Sequence, residues 1–170
     1  MMFETERLIV RRLAEDDLDA MFAVYGDADT MRWVDDGVPL TLELCEEWLA
    51  VTYSNYATHG YGMSALVLRE TGAVVGFCGL VHPGGQKLPE LKYALLREHW
   101  GRGLAGEAAN AMIAYGAMAF GMQRILSTVA PANAASIRVL EKAGFRRTDP
   151  RRNDDGSETL VFEWRPQQPA

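Results

Sequence analysis

The segment with the most distinctive chemistry spans residues 100–106, WGRGLAG, between a predicted strand and a predicted helix. Glycines at such a junction let the backbone approach a ligand closely. The unpaired amides and the dipole of the first helical turn then attract an anion, usually a phosphate. A glycine-rich strand-to-helix turn that binds nothing is the alternative.

Residues 101–106 also spell G-x-G-x-x-G, the pattern of dinucleotide-binding sites. That site requires a βαβ unit and an acidic residue about 20 positions further on to hold the ribose. After Glu107 the next acidic residue is Glu141, and the preceding segments form an antiparallel meander. No Gly-Lys-Ser/Thr follows, as a P-loop would need. A nucleotide-dependent oxidoreductase is therefore disfavoured.

A second segment that could do chemistry begins about 30 residues later, at residues 131–145. Asn133 can cap a helix that Gly144 ends. Ser136 lies in the first turn, where its hydroxyl could contact a ligand or bond to local backbone. Arg138 and Lys142 are one turn apart and could meet phosphates or only solvent.

The elements that must position these residues follow from apolar periodicity. Strands are predicted over residues 8–13, 61–68, 73–81, 90–96, 124–129, 145–148 and 159–164. Helices are predicted over 15–26, 41–56, 104–120 and 133–143, with a further turn at 29–33. We expect one α+β domain over residues 1–170, with a mixed, mostly antiparallel sheet of six to seven strands and about four helices.

Composition excludes several classes of protein. Hydrophobic residues make up 48% and charged residues 24% of the chain, which is globular composition. No run approaches the ~18 apolar residues of a membrane helix, and no secretory signal is visible. Cys45 and Cys78 are predicted to be reduced core thiols of a cytoplasmic protein. The three histidines lack ligand spacing, so no metal is expected, and the overall acidity argues against nucleic-acid binding.

Charge is distributed unevenly along the chain. Residues 1–50 carry 13 acidic and 4 basic residues, a net charge of −9, whereas residues 51–170 carry +3. Two surfaces with partners of opposite charge would explain this division. Chance variation of a solvated surface is the alternative.

Taken together, the ordered motifs resemble the GNAT superfamily of acetyl-CoA-dependent N-acetyltransferases, and within it the RimJ/RimL-like branch of ribosomal-protein N-terminal acetyltransferases. The resemblance rests on residues 4–8 (ETERL), 90–93 (ELKY), 100–105 (WGRGLA), 133–136 (NAAS) and 141–145 (EKAGF). It covers nearly the whole chain in the right order. It implies a GNAT fold, acetyl-CoA as the cosubstrate, and an acceptor amine on a peptide N-terminus or a small molecule.

The resemblance also implies a cofactor site, and a homodimer is the default expectation for the assembly. The backbone amides assigned to the CoA diphosphate are those of Gly101, Arg102, Gly103, Leu104, Ala105 and Gly106. The backbone of Tyr93, Ala94 and Leu95 would pair with the pantetheine arm as an added strand does. Asn133 is assigned a further contact to CoA, and the candidates for its phosphates are Arg97, Arg102, Arg138 and Lys142.

Two side chains are candidates for the chemistry. The acceptor amine must lose a proton, and the resemblance makes Glu90 the base, although pairing with Lys92 on the same strand face would also explain that carboxylate. Much of the superfamily carries a tyrosine where this chain has Leu140. The resemblance therefore assigns the hydrogen bond to the thiol sulfur to Ser136. A non-catalytic acyl-CoA sensor on the same fold is the alternative function.

The acceptor is expected to bind near the helices of residues 15–56. Their carboxylates would attract a cationic amine, and the aromatic residues nearby would line the cleft or pack in the core. The carboxylates are Asp35, Asp36, Glu43, Glu46 and Glu47, and the aromatic residues are Trp33, Tyr56 and Tyr61.

Overall fold

The computed structural model describes residues 1–34 and 36–168. The helices are α1 (Leu18–Tyr25), α2 (Ala28–Met31), α3 (Leu42–His59), α4 (Leu104–Phe120) and α5 (Ala134–Lys142). The strands are β1 (Phe3–Glu4), β2 (Leu8–Arg12), β3 (Met63–Leu68), β4 (Val74–Val81), β5 (Glu90–Leu95), β6 (Ile125–Val129), β7 (Arg146–Arg147), β8 (Arg151–Arg152) and β9 (Glu158–Trp164). Single 3-10 turns cover Glu15–Asp17, Pro83–Gly85 and Arg97–His99.

The strands form one open sheet in the order β1-β2-β3-β4-β5-β6-β9-β7, and β8 pairs with the other end of β9. Every neighbouring pair is antiparallel except β5 and β6, which run parallel. The predicted α+β class with a mixed, mostly antiparallel sheet is confirmed. Within the described residues the additional strands are the two-residue segments β1 and β8, which are too short to leave a periodic pattern.

Each face of the sheet carries its own core, because side chains alternate between the two faces along every strand. On one face, α4 and α5 pack Met112 and Leu140 against strand residues that include Leu91 and Phe162. On the other face, α1, α2 and α3 pack around Phe77. The two helical layers therefore lie on opposite sides of β5, the strand that sequence analysis assigned to the candidate site.

The glycines at two helix ends explain where α3 and α4 stop. Gly60 and Gly121 adopt left-handed backbone conformations, with φ of 82° and 64°, and their amides bond to the last turn of each helix. The 41–56 prediction therefore ended three residues too early. The described residues contain no helix that is long and apolar enough to span a bilayer, and both cysteines are buried free thiols.

The start of α1 is held by an ion pair with the edge of the sheet. Asp17 is 3% exposed and accepts bonds from both terminal nitrogens of Arg11, at 2.8 and 2.9 Å, and from the amide of Ala14 at 2.8 Å. Burial opposes ionisation, but the hydrogen bonds from Arg11 and Ala14 lower the pKa of Asp17 overall. This carboxylate fixes the first helix on β2.

We predict that Asp17→Asn lowers the free energy of unfolding by about 2 kcal/mol at neutral pH, because three bonds to a charged acceptor are weakened. A carboxylate whose folded pKa is lowered stabilises the protein above its unfolded pKa and loses that effect as pH falls through the folded pKa. Urea titrations should therefore show a difference that is largest near pH 7 and shrinks below about pH 4. Asp16→Asn, which alters an exposed neighbour, is the control. A pH-independent difference would contradict the prediction.

Candidate functional site

A groove of about 790 Å³ opens where β5 and β6 diverge. Only one residue pair, Glu90 with Leu126, joins these two strands in the ladder. Beyond it the strands separate, and the groove is walled by residues 91–95 of β5 and residues 127–129 of β6. It ends at the glycine loop and the first turns of α4 and α5. A V-shaped opening in a sheet can take an extended ligand between its strands.

The backbone of β5 presents hydrogen-bonding groups to this opening. The amide of Leu96 bonds to the carbonyl of Val75, which sets the phase of the ladder between β4 and β5. Alternate residues of an antiparallel strand bond to opposite sides, so the N–H and C=O of Tyr93 face away from β4 and into the gap. A linear ligand bearing amides could pair there as an added strand.

The glycine loop has the geometry of an anion site. Gly101 and Gly103 have φ of 73° and 77°, a conformation that side chains rarely allow, and Gly103 is the residue before the first turn of α4. A Cβ placed at Gly101 or Gly106 would have no heavy atom within 4 Å. The amides of the first helical turn have no partner within the helix. Backbone donors and open space therefore coincide at the end of the groove.

The structure separates the predicted site residues into two groups. Those that line the groove are Tyr93, Ala94, Leu95, Gly101, Gly103, Ala105, Gly106, Asn133, Ser136, Arg138 and Lys142. Glu90, Arg97, Arg102 and Leu104 do not line it. The side chain of Leu104 is buried in the core, so at this position only the backbone amide is relevant to a ligand.

Arg97 does not fit its expected place at the phosphates. Its guanidinium lies 3.1 Å from a carboxylate oxygen of Asp27 and 2.6 Å from one of Asp29. These two acids belong to the helical layer on the other side of β5. These ion pairs connect α2 to the turn that follows β5. The side chain of Arg97 therefore points away from the groove.

Asn133 acts as a helix cap, as the sequence pattern suggested. Its side-chain oxygen accepts a bond from the amide of Ser136 at 3.2 Å, which fixes the first turn of α5 against the groove. The helix continues through Arg138 and Lys142, both exposed and both lining the groove. Helix α5 thus contributes a hydroxyl and two cations to the lining of the groove.

The hydroxyl of Tyr93 is a functional group that sequence reasoning missed. It lies 2.6 Å from the hydroxyl of Ser136, across the groove between β5 and α5. Burial raises the pKa of Tyr93 to about 12, although the bond to Ser136 opposes that shift. Sequence analysis assigned to Tyr93 only its backbone, because nothing in a linear pattern pairs residues that are 43 positions apart. The phenol therefore stays protonated and can donate to the serine.

Glu90 lies beside the groove, at the point where β5 and β6 are still paired. It is 3% exposed, with Oε2 4.0 Å from the Nζ of Lys92, which does line the groove. Its Oε1 is buried and has no hydrogen-bond partner among the residues the structure describes. The pairing that the sequence left open is therefore present, at the limit of an ion pair, and one carboxylate oxygen keeps its capacity to accept a proton.

The residues expected around the acceptor are mostly elsewhere. Trp33 lines the groove and is 37% exposed, beside Thr30 and Val34. Tyr56 instead bonds to the backbone of Leu13 and Met63, and Tyr61 bonds to His82. The carboxylates of Asp36, Glu43, Glu46 and Glu47 are exposed and do not line the groove, and Asp35 falls outside the described residues.

Electrostatically, the groove suits an anion. Its lining includes Lys92, Arg138 and Lys142, and the carboxylate of Glu107 there is paired with Arg7 at 2.7 Å. No cluster of three or more potential metal-ligating His, Cys, Asp or Glu side chains occurs in residues 1–34 and 36–168. The free amides, the cations and the open glycines fit the diphosphate and the amide-bearing arm of a CoA thioester.

Comparison with known proteins identifies the family. A family model described as "Acetyltransferase (GNAT) domain" matches residues 7–146. A curated relative, an uncharacterized N-acetyltransferase (YoaA) of Bacillus subtilis strain 168, is 27% identical over 150 residues, which cover 86% of this chain and 83% of the relative.

Solved structures share the fold. The acetyltransferase from Agrobacterium tumefaciens strain C58 superposes with a TM-score of 0.79 at 29% identity, covering 96% of this chain and 94% of that one. The ribosomal L7/L12 α-N-protein acetyltransferase RimL, solved with coenzyme A, gives a TM-score of 0.81 at 15% identity, covering 96% and 97%. At 15% identity the likeness concerns the fold alone.

We predict that Gly106→Val leaves the protein folded and weakens acetyl-CoA binding at least about tenfold. Valine is a better helix former than glycine, and its side chain enters open groove space rather than the core. Calorimetric titration with acetyl-CoA and thermal melts would check both parts. Ala114→Val, on the exposed side of the same helix, is the control. Unchanged affinity in folded Gly106→Val would place the ligand elsewhere.

Proposed function

The chain belongs to the GNAT acetyltransferase family and is an acyltransferase, and we propose that it moves an acetyl group from acetyl-CoA to a primary amine by direct attack in a ternary complex. The acceptor is the N-terminal amine of a peptide or the amine of a small molecule. The observation that carries the proposal is the groove between β5 and β6, which ends on a glycine loop and the first turns of two helices.

The proposed donor site uses the chain's backbone and its basic edge. The diphosphate lies against the amides at residues 101–106, where the helix dipole of α4 is positive. The pantetheine arm pairs with the free backbone groups of Tyr93 in β5. Arg138 and Lys142 meet the remaining phosphate charge. The lining of the groove supports this placement, since it includes Tyr93, the glycines of the loop, and both Arg138 and Lys142.

Acetyl-CoA supplies an acetyl thioester, so a C–N bond forms to the amine while the C–S bond breaks. The neutral amine loses one proton as the amide forms, and the departing sulfur can take it up; a protonated amine must first lose another. A primary amine has a pKa of about 8 at a peptide N-terminus and about 10 in a lysine side chain. Since it is mostly protonated at neutral pH, a nearby carboxylate has to accept a proton before or during attack.

Glu90 is the proposed base. It is the buried carboxylate at the start of β5, and its Oε1 has no partner among the described residues. Because Glu90 does not itself line the groove, we place a water between the carboxylate and the amine. The Nζ of Lys92 lies 4.0 Å from Oε2 of Glu90, so the lysine contacts one carboxylate oxygen and Oε1 keeps its capacity to accept a proton.

Ser136 is the proposed donor to the departing sulfur, and Tyr93 is its positioning residue. When the Tyr93 phenol donates to the serine oxygen, the serine proton is left to point into the groove. Leu140 is 0% exposed and packs in the core, so it takes no part in this network. A thiol pKa of about 8.5 makes thiolate a fair leaving group, and a hydrogen bond is sufficient help.

The acceptor end of the groove is proposed to lie at Trp33, Thr30 and Val34. A half-exposed indole beside small side chains suits the side chain or hydrocarbon stem next to an amine. The reaction is proposed to take place in the cytoplasm, where thiols such as Cys45 and Cys78 stay reduced. The RimJ/RimL-like motifs favour a protein N-terminus.

Turnover with a panel of amines tests the proposed function. Acetyl-CoA binding is measured by calorimetry, and CoA release is then followed with ribosomal N-terminal peptides, polyamines and aminoglycosides. We expect binding and turnover with at least one amine class. Binding without turnover on any amine would instead support an acyl-CoA sensor, and the absence of binding would refute the proposed donor.

We predict that Ser136→Ala lowers kcat about 10- to 100-fold with little change in KM for acetyl-CoA, because the lost hydrogen bond forms as charge develops on sulfur. Tyr93→Phe should lower kcat less, since it removes only the group that orients the serine. The double variant should match Ser136→Ala, as expected for residues that act as one unit. Ser54→Ala and Tyr53→Phe, at exposed positions of α3, are controls. Additive losses would mean that Tyr93 does not act through Ser136.

We predict that Glu90→Gln lowers kcat/KM at least about 100-fold near pH 7, the usual contribution of a positioned general base. The deficit should narrow as pH rises towards the pKa of the acceptor amine, because the free amine then no longer needs a base. A pH–rate profile measures this, with Glu158→Gln, at the exposed first residue of β9, as the matched change. A uniform deficit at all pH values would assign Glu90 to structure rather than proton transfer.

A further inference from the structure

We propose that Arg7 is a positioning residue of the glycine loop, which fixes the loop from behind and neutralises Glu107, so that amide donors and no uncompensated negative charge face the diphosphate. This inference rests on the proposed function, since it assumes that CoA occupies the groove. It gives a role to the N-terminal ETERL motif, whose residues lie outside the groove lining.

The N-terminal segment makes four hydrogen bonds to the loop and to the helix behind it. Arg7 Nε donates to Glu107 Oε2 at 2.7 Å, and the Arg7 amide donates to Glu107 Oε1 at 2.8 Å. The Thr5 hydroxyl donates to the same Oε1 at 2.6 Å. Arg7 Nη1 donates to the carbonyl of Arg102 at 2.8 Å. One guanidinium therefore joins the loop to the first turn of α4.

The bond to the Arg102 carbonyl orients the donor next to it. In a trans peptide the C=O and the following N–H point in opposite directions. Because the carbonyl of Arg102 points to Arg7, the amide of Gly103 points away from Arg7, and Gly103 lines the groove. Without Arg7 this peptide could rotate and present a carbonyl oxygen to the anion.

Glu107 places a negative charge beside the proposed diphosphate site, and Arg7 compensates that charge. Its carboxylate lies in the first turn of α4 and lines the groove, with a side chain 16% exposed. Burial raises its pKa, but hydrogen bonds from Thr5 and Arg7 outweigh that effect and lower the pKa of Glu107 overall. It is therefore ionised at neutral pH and, unpaired, would repel a diphosphate bound to the same helix terminus.

The ion pair of Arg7 with Glu107 is expected to contribute little to the stability of the fold. The Arg7 side chain is 43% exposed, and exposed ion pairs contribute little to the free energy of unfolding. The comparable pair of Arg124 with Glu163 joins β6 to β9 away from the groove. A pair that touches the glycine loop should instead affect the affinity for the donor.

The test compares Arg7→Gln, Glu107→Gln, the double variant and Arg7→Lys by steady-state kinetics and by calorimetry with acetyl-CoA. Arg7→Gln should raise KM and Kd for acetyl-CoA about 10- to 100-fold and keep kcat within about twofold, because one uncompensated charge faces the diphosphate. Removing that charge with Glu107→Gln in the Arg7→Gln background should recover at least about threefold. Arg7→Lys keeps the positive charge but cannot make both guanidinium hydrogen bonds, so its KM and Kd for acetyl-CoA should lie between those of Arg7→Gln and wild type.

Arg124→Gln is the matched control, since it breaks an ion pair of the same type and should leave KM unchanged. Loss of kcat with unchanged KM in Arg7→Gln would overturn the proposal. So would a double variant no better than Arg7→Gln, because a merely structural role offers no rescue by removing the carboxylate.

Hydrogen exchange without ligand separates this inference from the proposed function. Hydrogen-bonded amides at the start of α4, beginning with that of Glu107, which bonds to the carbonyl of Gly103, should exchange several-fold faster in Arg7→Gln than in wild type. If exchange is faster in Arg7→Gln but wild type binds no acetyl-CoA, the contact of Arg7 with the loop is confirmed and the proposed donor site is refuted. If wild type binds acetyl-CoA while Arg7→Gln has the same Kd and the same exchange rates, the role of Arg7 is refuted.

Discussion

A single ladder pair, Glu90 with Leu126, connects the backbones of β5 and β6, and the other features of the site depend on the separation beyond it. Backbone groups that face the gap cannot pair across it, and unpaired buried groups are costly. The structure satisfies some internally: Ser127 donates to the carbonyl of Leu91 and the Trp100 indole donates to that of Leu95. The backbone groups of Tyr93 have no such partner and could pair with an extended ligand, which makes the opening the candidate binding surface.

Three different elements contribute the positively charged groups and hydrogen-bond donors around this opening. The helix terminus of α4 contributes backbone donors, α5 contributes Arg138 and Lys142, and the N-terminal segment contributes Arg7 from behind the loop. The acidic helices lie on the other face of the sheet, where Asp27 and Asp29 hold Arg97. The division of charge along the chain thus corresponds partly to a division between the sheet's two faces.

The chemical groups of the proposed mechanism are small in number and come from two parts of the site. Glu90 is held where the strands are still paired, and its burial there leaves a carboxylate oxygen without a protein partner. Ser136 is fixed twice, by the Asn133 cap through its amide and by Tyr93 through its hydroxyl. Such double fixation lowers the cost of orienting a donor at the moment of reaction.

The sequence by itself determined all but the shortest elements, their order, the glycine loop before α4 and the capped helix α5, because caps, glycines and apolar periods are local signals. It also left open whether Glu90 pairs with Lys92. Only the tertiary structure decided which candidates share one opening. Arg97 pairs with the acids of α2 and is no longer a candidate for the site. The Tyr93 hydroxyl and Arg7 become candidates, because they contact Ser136 and the glycine loop. These contacts join residues 43 to 95 positions apart, and no periodic pattern encodes such a distance.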